Sequence, residues 1–211
     1  MTQRQITLIN NSTMPTALAV LQNPAGQNDL AVAWLAKYAY PGTQVRFTWD
    51  DADLSFVWAG TGQLSPGIVV DASQIVPANP SEHNGITLSY DAPNRTFLLH
   101  DPADGGPPGS LFVRQDATIP MNAVATGIGM AGKPCTVVQA MPNMITTFTL
   151  RPGYFLCFGN LVQGQVFDLF SVPQPQPAEF PPNVYALTAT LGPDNQWTVV
   201  SDILTTADND A

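Results

Sequence analysis

The chain has 211 residues, with 7 Lys and Arg against 16 Asp and Glu and a formal charge of −9 at pH 7. At that length a full hydrophobic core can form, and a hydrophobic content of 45% excludes an intrinsically disordered chain. So few cations exclude a nucleic-acid binder, because gripping a phosphate backbone takes several Lys or Arg.

The only lysines are Lys37 and Lys133 and the only glutamates Glu82 and Glu179. Both residue types coat helical surfaces, so a polar surface of Thr, Asn, Gln, Ser and Asp points to strands and loops instead. Residues 1–11 lack the long apolar stretch of a secretory leader and read as a first strand. No run approaches the roughly 18 apolar residues that span a bilayer. The expectation is a protein without a membrane span, either cytoplasmic or released by a route without a classical signal peptide.

In chain order, residues 5–9 and 17–22 open as strands around a turn at 10–15. Residues 30–40 fit two patterns. Leu30, Trp34 and Tyr38 recur at helical spacing, while Val32, Trp34 and Ala36 share a strand face; the neighbouring segments favour strand. Val45, Phe47 and Trp49 then alternate with Gln44, Arg46, Thr48 and Asp50, giving one apolar and one polar face. Residues 54–59 are apolar on both faces, as in a central, covered strand. Further strands are expected at 68–71, 86–90, 96–100, 111–114, 136–141, 145–150, 154–158 and 166–172. A final hairpin pairs 185–191 with 197–201.

The 16 Gly and 20 Pro fall mostly at turns between these strands. About a dozen short strands without long helices between them predict an all-β fold, with at most one or two short helices. The expected architecture is an antiparallel β-sandwich, with the jelly roll as one form of it and a closed barrel as the alternative. One domain is expected over 1–201. Pro173, Pro175 and Pro177 alternate with Gln, and Pro181-Pro182 follow, so 173–182 reads as a stiff crossover between sheets. Residues 202–211 form an acidic tail, with Ile203 and Leu204 able to dock.

Cys135 and Cys157 lie in or beside apolar strands, which suits two buried thiols. A bond between them would close a loop of about 23 residues and contribute roughly 3 kcal/mol on a chain-entropy model.

Several segments resemble chemistry-bearing patterns. Gly127, Gly129 and Gly132 match the spacing of a dinucleotide loop, but Lys133-Pro134 and a β-branched run stand where that loop needs a helix. The glycines instead suit a bulged or tightly packed strand. His83 beside Glu82, and His100 beside Asp101, could each form a general base with a carboxylate. Asp50, Asp51 and Asp53 cluster in one turn and are the candidate metal ligands, for calcium. Asp-rich turn capping is the competing reading. Trp49, Trp58, Tyr90, Tyr154 and Trp197, with polar partners such as Asn143, could supply an aromatic platform for a carbohydrate or small ligand. Core packing is the simpler assignment for Trp49 and Trp58.

Charged residues are 11% of the chain, so its strand edges carry few of the charges that keep sheets from pairing. The leading functional expectation is a non-enzymatic sandwich that acts through self-association or structural assembly, with a homo-oligomer as its form. A lectin-like module, calcium-assisted or not, and a hydrolase using a histidine–carboxylate pair are the alternatives. No catalytic residue is assigned, and nothing in the sequence makes a positive case for an enzyme.

Overall fold

The computed structural model describes residues 3–22, 30–150, 153–173 and 175–202. They form an all-β fold of 18 short strands in several sheets. In chain order these are β1 (Gln3–Asn10), β2 (Thr16–Gln22), β3 (Leu30–Val32), β4 (Leu35–Ala39), β5 (Thr43–Asp50) and β6 (Leu54–Ala59). There follow β7 (Gln74–Pro77), β8 (Gly85–Asp91), β9 (Thr96–Ala103), β10 (Ser110–Gln115), β11 (Ala125–Met130) and β12 (Lys133–Gln139). The last are β13 (Met144–Thr149), β14 (Tyr154–Gly159), β15 (Val166–Asp168), β16 (Gln176–Pro177), β17 (Ala186–Leu191) and β18 (Trp197–Asp202). The described residues contain no α-helix, only a 3-10 turn at Leu169–Ser171, and no helix long and apolar enough to cross a membrane.

Four sheets have four strands each, in the orders β18-β17-β1-β5, β13-β10-β8-β9, β12-β11-β6-β7 and β16-β14-β2-β4; β15 and β3 form a fifth, two-stranded sheet. The strand pairing corrects the expectation of a wholly antiparallel arrangement, since β1 runs parallel to β17 and β8 parallel to β10. Parallel neighbours need a crossover rather than a hairpin. The β1–β17 pair accordingly joins residues near opposite ends of the chain.

The alternation read in 44–50 is present in β5, where Phe47 and Trp49 are buried and Arg46 and Thr48 exposed. Every residue of β6 is buried, and β6 lies between β11 and β7. Residues 30–40 are extended, as β3 and β4, and break at Ala33–Trp34. There Ala33 exchanges backbone hydrogen bonds with Gln165 and Gly164. Trp34 is fully buried and donates its indole N–H to the Met130 carbonyl at 3.0 Å. One contiguous core cluster draws on all four large sheets, including Ile6, Leu18, Phe56 and Ile86.

Two expected strands are placed differently. Residues 68–71 make only an isolated antiparallel bridge, Val69 to Gln165, through the Val70 amide to the Gly164 carbonyl and the Val166 amide to the Ile68 carbonyl. The strand beside β6 is β7, where the Gln74 Oε1 accepts hydrogen bonds from the Trp58 indole (2.9 Å) and the Leu99 amide (2.8 Å). The strand expected over 166–172 stops at Asp168, whose carbonyl accepts the Ser171 hydroxyl across the 3-10 turn at 2.6 Å.

The glycine-rich segment is β11, an interior strand buried along its whole length. A Cβ on Gly127 would lie 2.0 Å from the Thr136 carbonyl oxygen, and one on Gly129 would lie 2.9 Å from that of Lys133. The register slips between Ile128 and Gly129. These glycines therefore serve close strand packing and a bulge. Cys135 and Cys157 are buried free thiols, and burial pushes both up to about 12. Residues 203–211, with Ile203 and Leu204, lie outside the described residues.

Candidate functional site

Three features outside the core could meet another molecule. The first is a sheet edge. β13 ends its sheet, and its outer side takes no backbone partner among the described residues. Its sequence, MITTFT, contains neither a charge nor a proline. Every other edge strand of the four large sheets has one or the other: Lys37 in β4, Arg46 in β5, Pro77 in β7, Asp101 in β9, Lys133 in β12, Pro177 in β16 and Asp202 in β18. Thr146 and Phe148 turn into the protein, while Ile145, Thr147 and Thr149 are exposed, Ile145 at 58%. An open edge of this kind is a template for another strand.

The second feature is a recess of about 380 Å³. Arg4 projects from β1 and Asp51 from the turn after β5; Tyr154 opens β14, and Glu179 and Phe180 follow β16. Asp51 Oδ2 accepts the Arg4 Nε–H at 3.0 Å, and its Oδ1 accepts the Tyr154 hydroxyl at 2.7 Å and the Trp49 indole N–H at 3.1 Å. Arg4 Nη1 donates to the Val184 carbonyl at 2.8 Å, and the guanidinium lies 4.7 Å from the centre of the Phe180 ring and 5.5 Å from that of Tyr185. Burial, then the hydrogen bond to the Asp51 carboxylate, raises the Tyr154 phenol above its ordinary value, so it stays a donor.

The third feature is a polar relay along the β8–β9 hairpin. The Ser89 hydroxyl donates to Asp116 Oδ2 at 2.5 Å and lies 2.7 Å from His100 Nε2; His100 Nδ1 lies 2.9 Å from Asp101 Oδ2. Thr118 donates to the other Asp116 oxygen through its amide and its hydroxyl. Burial alone would raise the Asp116 carboxyl, but the hydrogen bonds from Ser89 and Thr118, with a smaller electrostatic contribution from the neighbouring His100, hold it below the ordinary carboxylate value.

The remaining candidates from the sequence are held by separate partners. The rings of Trp58, Phe97 and Tyr90 form a series, with centroids 5.4 and 5.0 Å apart. Trp197 is half-buried against Phe158 at 6.2 Å. Asn143 is exposed in a left-handed conformation (φ 58°) in the turn before β13, and its amide donates to the Asp116 carbonyl. Asp50 caps its own turn by accepting the Ala52 amide at 2.9 Å, and Asp53 is exposed. Asp51 points instead to Arg4, Trp49 and Tyr154. Among the described residues no group of three or more His, Cys, Asp or Glu is arranged to hold a metal ion. His83 is exposed, and its amide donates to Asp104 Oδ1 at 2.6 Å.

Arg4, Glu179 and Phe180 in the recess, and Ser89 and Asp116 in the relay, were not among the candidates drawn from the sequence. Arg4 left a signal as one of few cations, at the start of an apolar strand, and Glu179 as one of only two glutamates.

Fold and surface together define a class: an all-β protein of many short strands, with one unguarded sheet edge and an aromatic-walled polar recess. Within it, this chain belongs to the RhiA family, whose model, described as RhiA, matches residues 1–202. It is similar to Protein RhiA of Rhizobium leguminosarum bv. viciae, with 36% identity over 205 residues, covering 94% of this chain and 86% of that protein. No solved structure gives a significant match.

Proposed function

We propose that this chain is a non-enzymatic β-sandwich protein, one domain over 1–201 with a crossover at 173–182, that works by self-association. The observation that carries this reading is β13, the one edge of the four large sheets with neither charge nor proline. The fitting occupant is β13 of a second copy. Because β13 runs antiparallel to β10, two copies related by a two-fold axis would add a second antiparallel pairing, β13 to β13, on the outer side of that strand. Such pairing sets Thr and Ile side chains against one another, a favourable cross-strand combination, and brings no charge of either copy into the seam. Light scattering over a rising protein concentration tests the reading. A mass that climbs to that of a dimer supports it, and a constant monomer mass contradicts it.

The hydrolase alternative draws on one arrangement, the Ser89–His100–Asp101 line. It stands second because the Ser89 proton is directed to Asp116 and the Asp101 carboxylate is 84% exposed, whereas a triad acid is usually held in place by burial. Hydrolysis of a p-nitrophenyl ester panel, abolished by Ser89→Ala, would favour it. No turnover above the uncatalysed rate counts against it.

A further inference from the structure

We infer that the recess between β1, β14 and residues 179–180 is a binding site for a neutral, hydroxyl-rich ligand of monosaccharide size. The volume comes first. About 380 Å³ lies within the range of small-molecule sites, and the recess has the usual makeup of apolar walls with a few convergent polar groups.

The polar groups are already fixed. Asp51 is held by Arg4, Trp49 and Tyr154, and Arg4 is held in turn by the Val184 carbonyl. The Arg4 and Asp51 side chains are only 20% and 22% exposed. A ligand would find these groups in place, with little rotamer freedom left to lose.

Charge then selects the ligand class. Arg4 and Asp51 neutralise each other, and Glu179 at the exposed rim adds a carboxylate. An anion would meet two carboxylates and only one, already paired, guanidinium. A cation would seek the aromatic faces, but Arg4 itself lies over Phe180 and Tyr185. A hydroxyl group fits both halves of the site, since it both donates and accepts. It can accept from the Arg4 N–H groups that have no partner among the described residues, and donate to the Asp51 or Glu179 carboxylate. Pro177, exposed at the rim, offers apolar surface to the C–H face of a sugar ring.

The test is a titration of the full chain with glucose, galactose and mannose, with glucuronic acid and glucosamine as charged counterparts. The readout is the Trp49 indole N–H resonance, which reports on Asp51 directly. The expected result is a saturable shift with at least one neutral sugar, and binding weaker by about tenfold for its charged counterparts. Asp51→Asn should abolish the shift. Because that change also disturbs the Trp49–Tyr154 network, Glu179→Gln on the exposed rim serves as the second variant, weakening binding by about threefold with the fold intact. No saturable shift with any neutral sugar, tighter binding of a charged counterpart, or unchanged affinity in both variants would overturn the assignment.

Discussion

The two edges of one sheet, β9 and β13, differ in nearly everything that governs pairing. β9 carries His100, Asp101 and Pro102 just before its last residue, with Asp101 in a left-handed conformation at φ 51°. Its polar groups continue through Ser89 to Asp116. A second strand laid along β9 would have to bury a carboxylate and would find no amide donor at Pro102. β13 presents Thr and Ile along an unoccupied backbone. A sheet needs only one blunted edge to stay finite as a dimer, and two open edges to grow. The contrast therefore argues for a closed pair rather than a fibre.

The strongest way to break the contrast is to charge β13. Ile145→Lys with Thr147→Lys sets like charges against each other across the seam, which should weaken self-association by about 3 kcal/mol, or roughly a hundredfold. Both positions are exposed, but Ile145 stands directly opposite Arg114 of β10, so Ile145→Lys should cost the monomer up to about 1 kcal/mol and Thr147→Lys less than about 0.5 kcal/mol. Sedimentation velocity and urea unfolding of the variant check the two halves of that statement. An undiminished dimer would remove β13 from the account.

A smaller effect is expected from unguarding β9. Asp101→Asn with Pro102→Val keeps a residue that tolerates the left-handed conformation and restores the missing amide. Among the described residues the β9 edge then keeps only the Gln74 side chain, bonded to the Leu99 amide and carbonyl, against pairing, and species larger than a dimer should form, with a gain of about 1 kcal/mol per new contact. Light scattering that still reports a dimer would show that β9 is closed by something other than these two residues.

The smallest effect concerns the relay that stiffens the β9 side. The depressed pKa of Asp116 gives stability that is present above the unfolded carboxylate value, near pH 4, and is lost as pH falls through the folded value. Ser89→Ala removes one of its donors. Because Asp116 is half-buried and its charge partly screened by solvent, the cost at pH 7 should be only about 0.5–1 kcal/mol. The gap between variant and parent should begin to narrow below about pH 4 and close only as pH falls through the lowered Asp116 value of the parent. A gap of constant size at pH 7 and pH 3 in urea unfolding would mean that Ser89 acts by packing rather than through the Asp116 charge.

Much of the fold was legible because side-chain period is local. Phe47 and Trp49 alternate with Arg46 and Thr48, and residues 54–59 are apolar throughout, so the half-buried β5 and the interior β6 could be read directly. β11 was harder: Gly127 and Gly129 carry no period, and the need for them lies in Thr136 and Lys133 on the neighbouring strand. The parallel β1–β17 pair was not visible either, since periodicity says which residues share a face but not which strands become neighbours. The candidate site was legible only in fragments. Asp51 was singled out as a metal ligand, and Trp49 and Tyr154 as parts of an aromatic platform. Asp51 was read with Asp50 and Asp53, its neighbours in sequence, although its oxygens are held by Arg4, 47 residues away, and Tyr154, 103 residues away. The low charge of the chain pointed to unprotected edges, but only the sheet order showed that β13 is the one left open.

Hydrogen exchange of the β13 amides, followed at dilute and concentrated protein, tests the central claim most directly. If β13 pairs between copies, the outward-facing amides of Met144–Thr149, those not directed at β10, gain protection as concentration rises while β9 amides exchange at an unchanged rate. Protection of those outward amides that does not depend on concentration, or a rise confined to another edge, would contradict the claim.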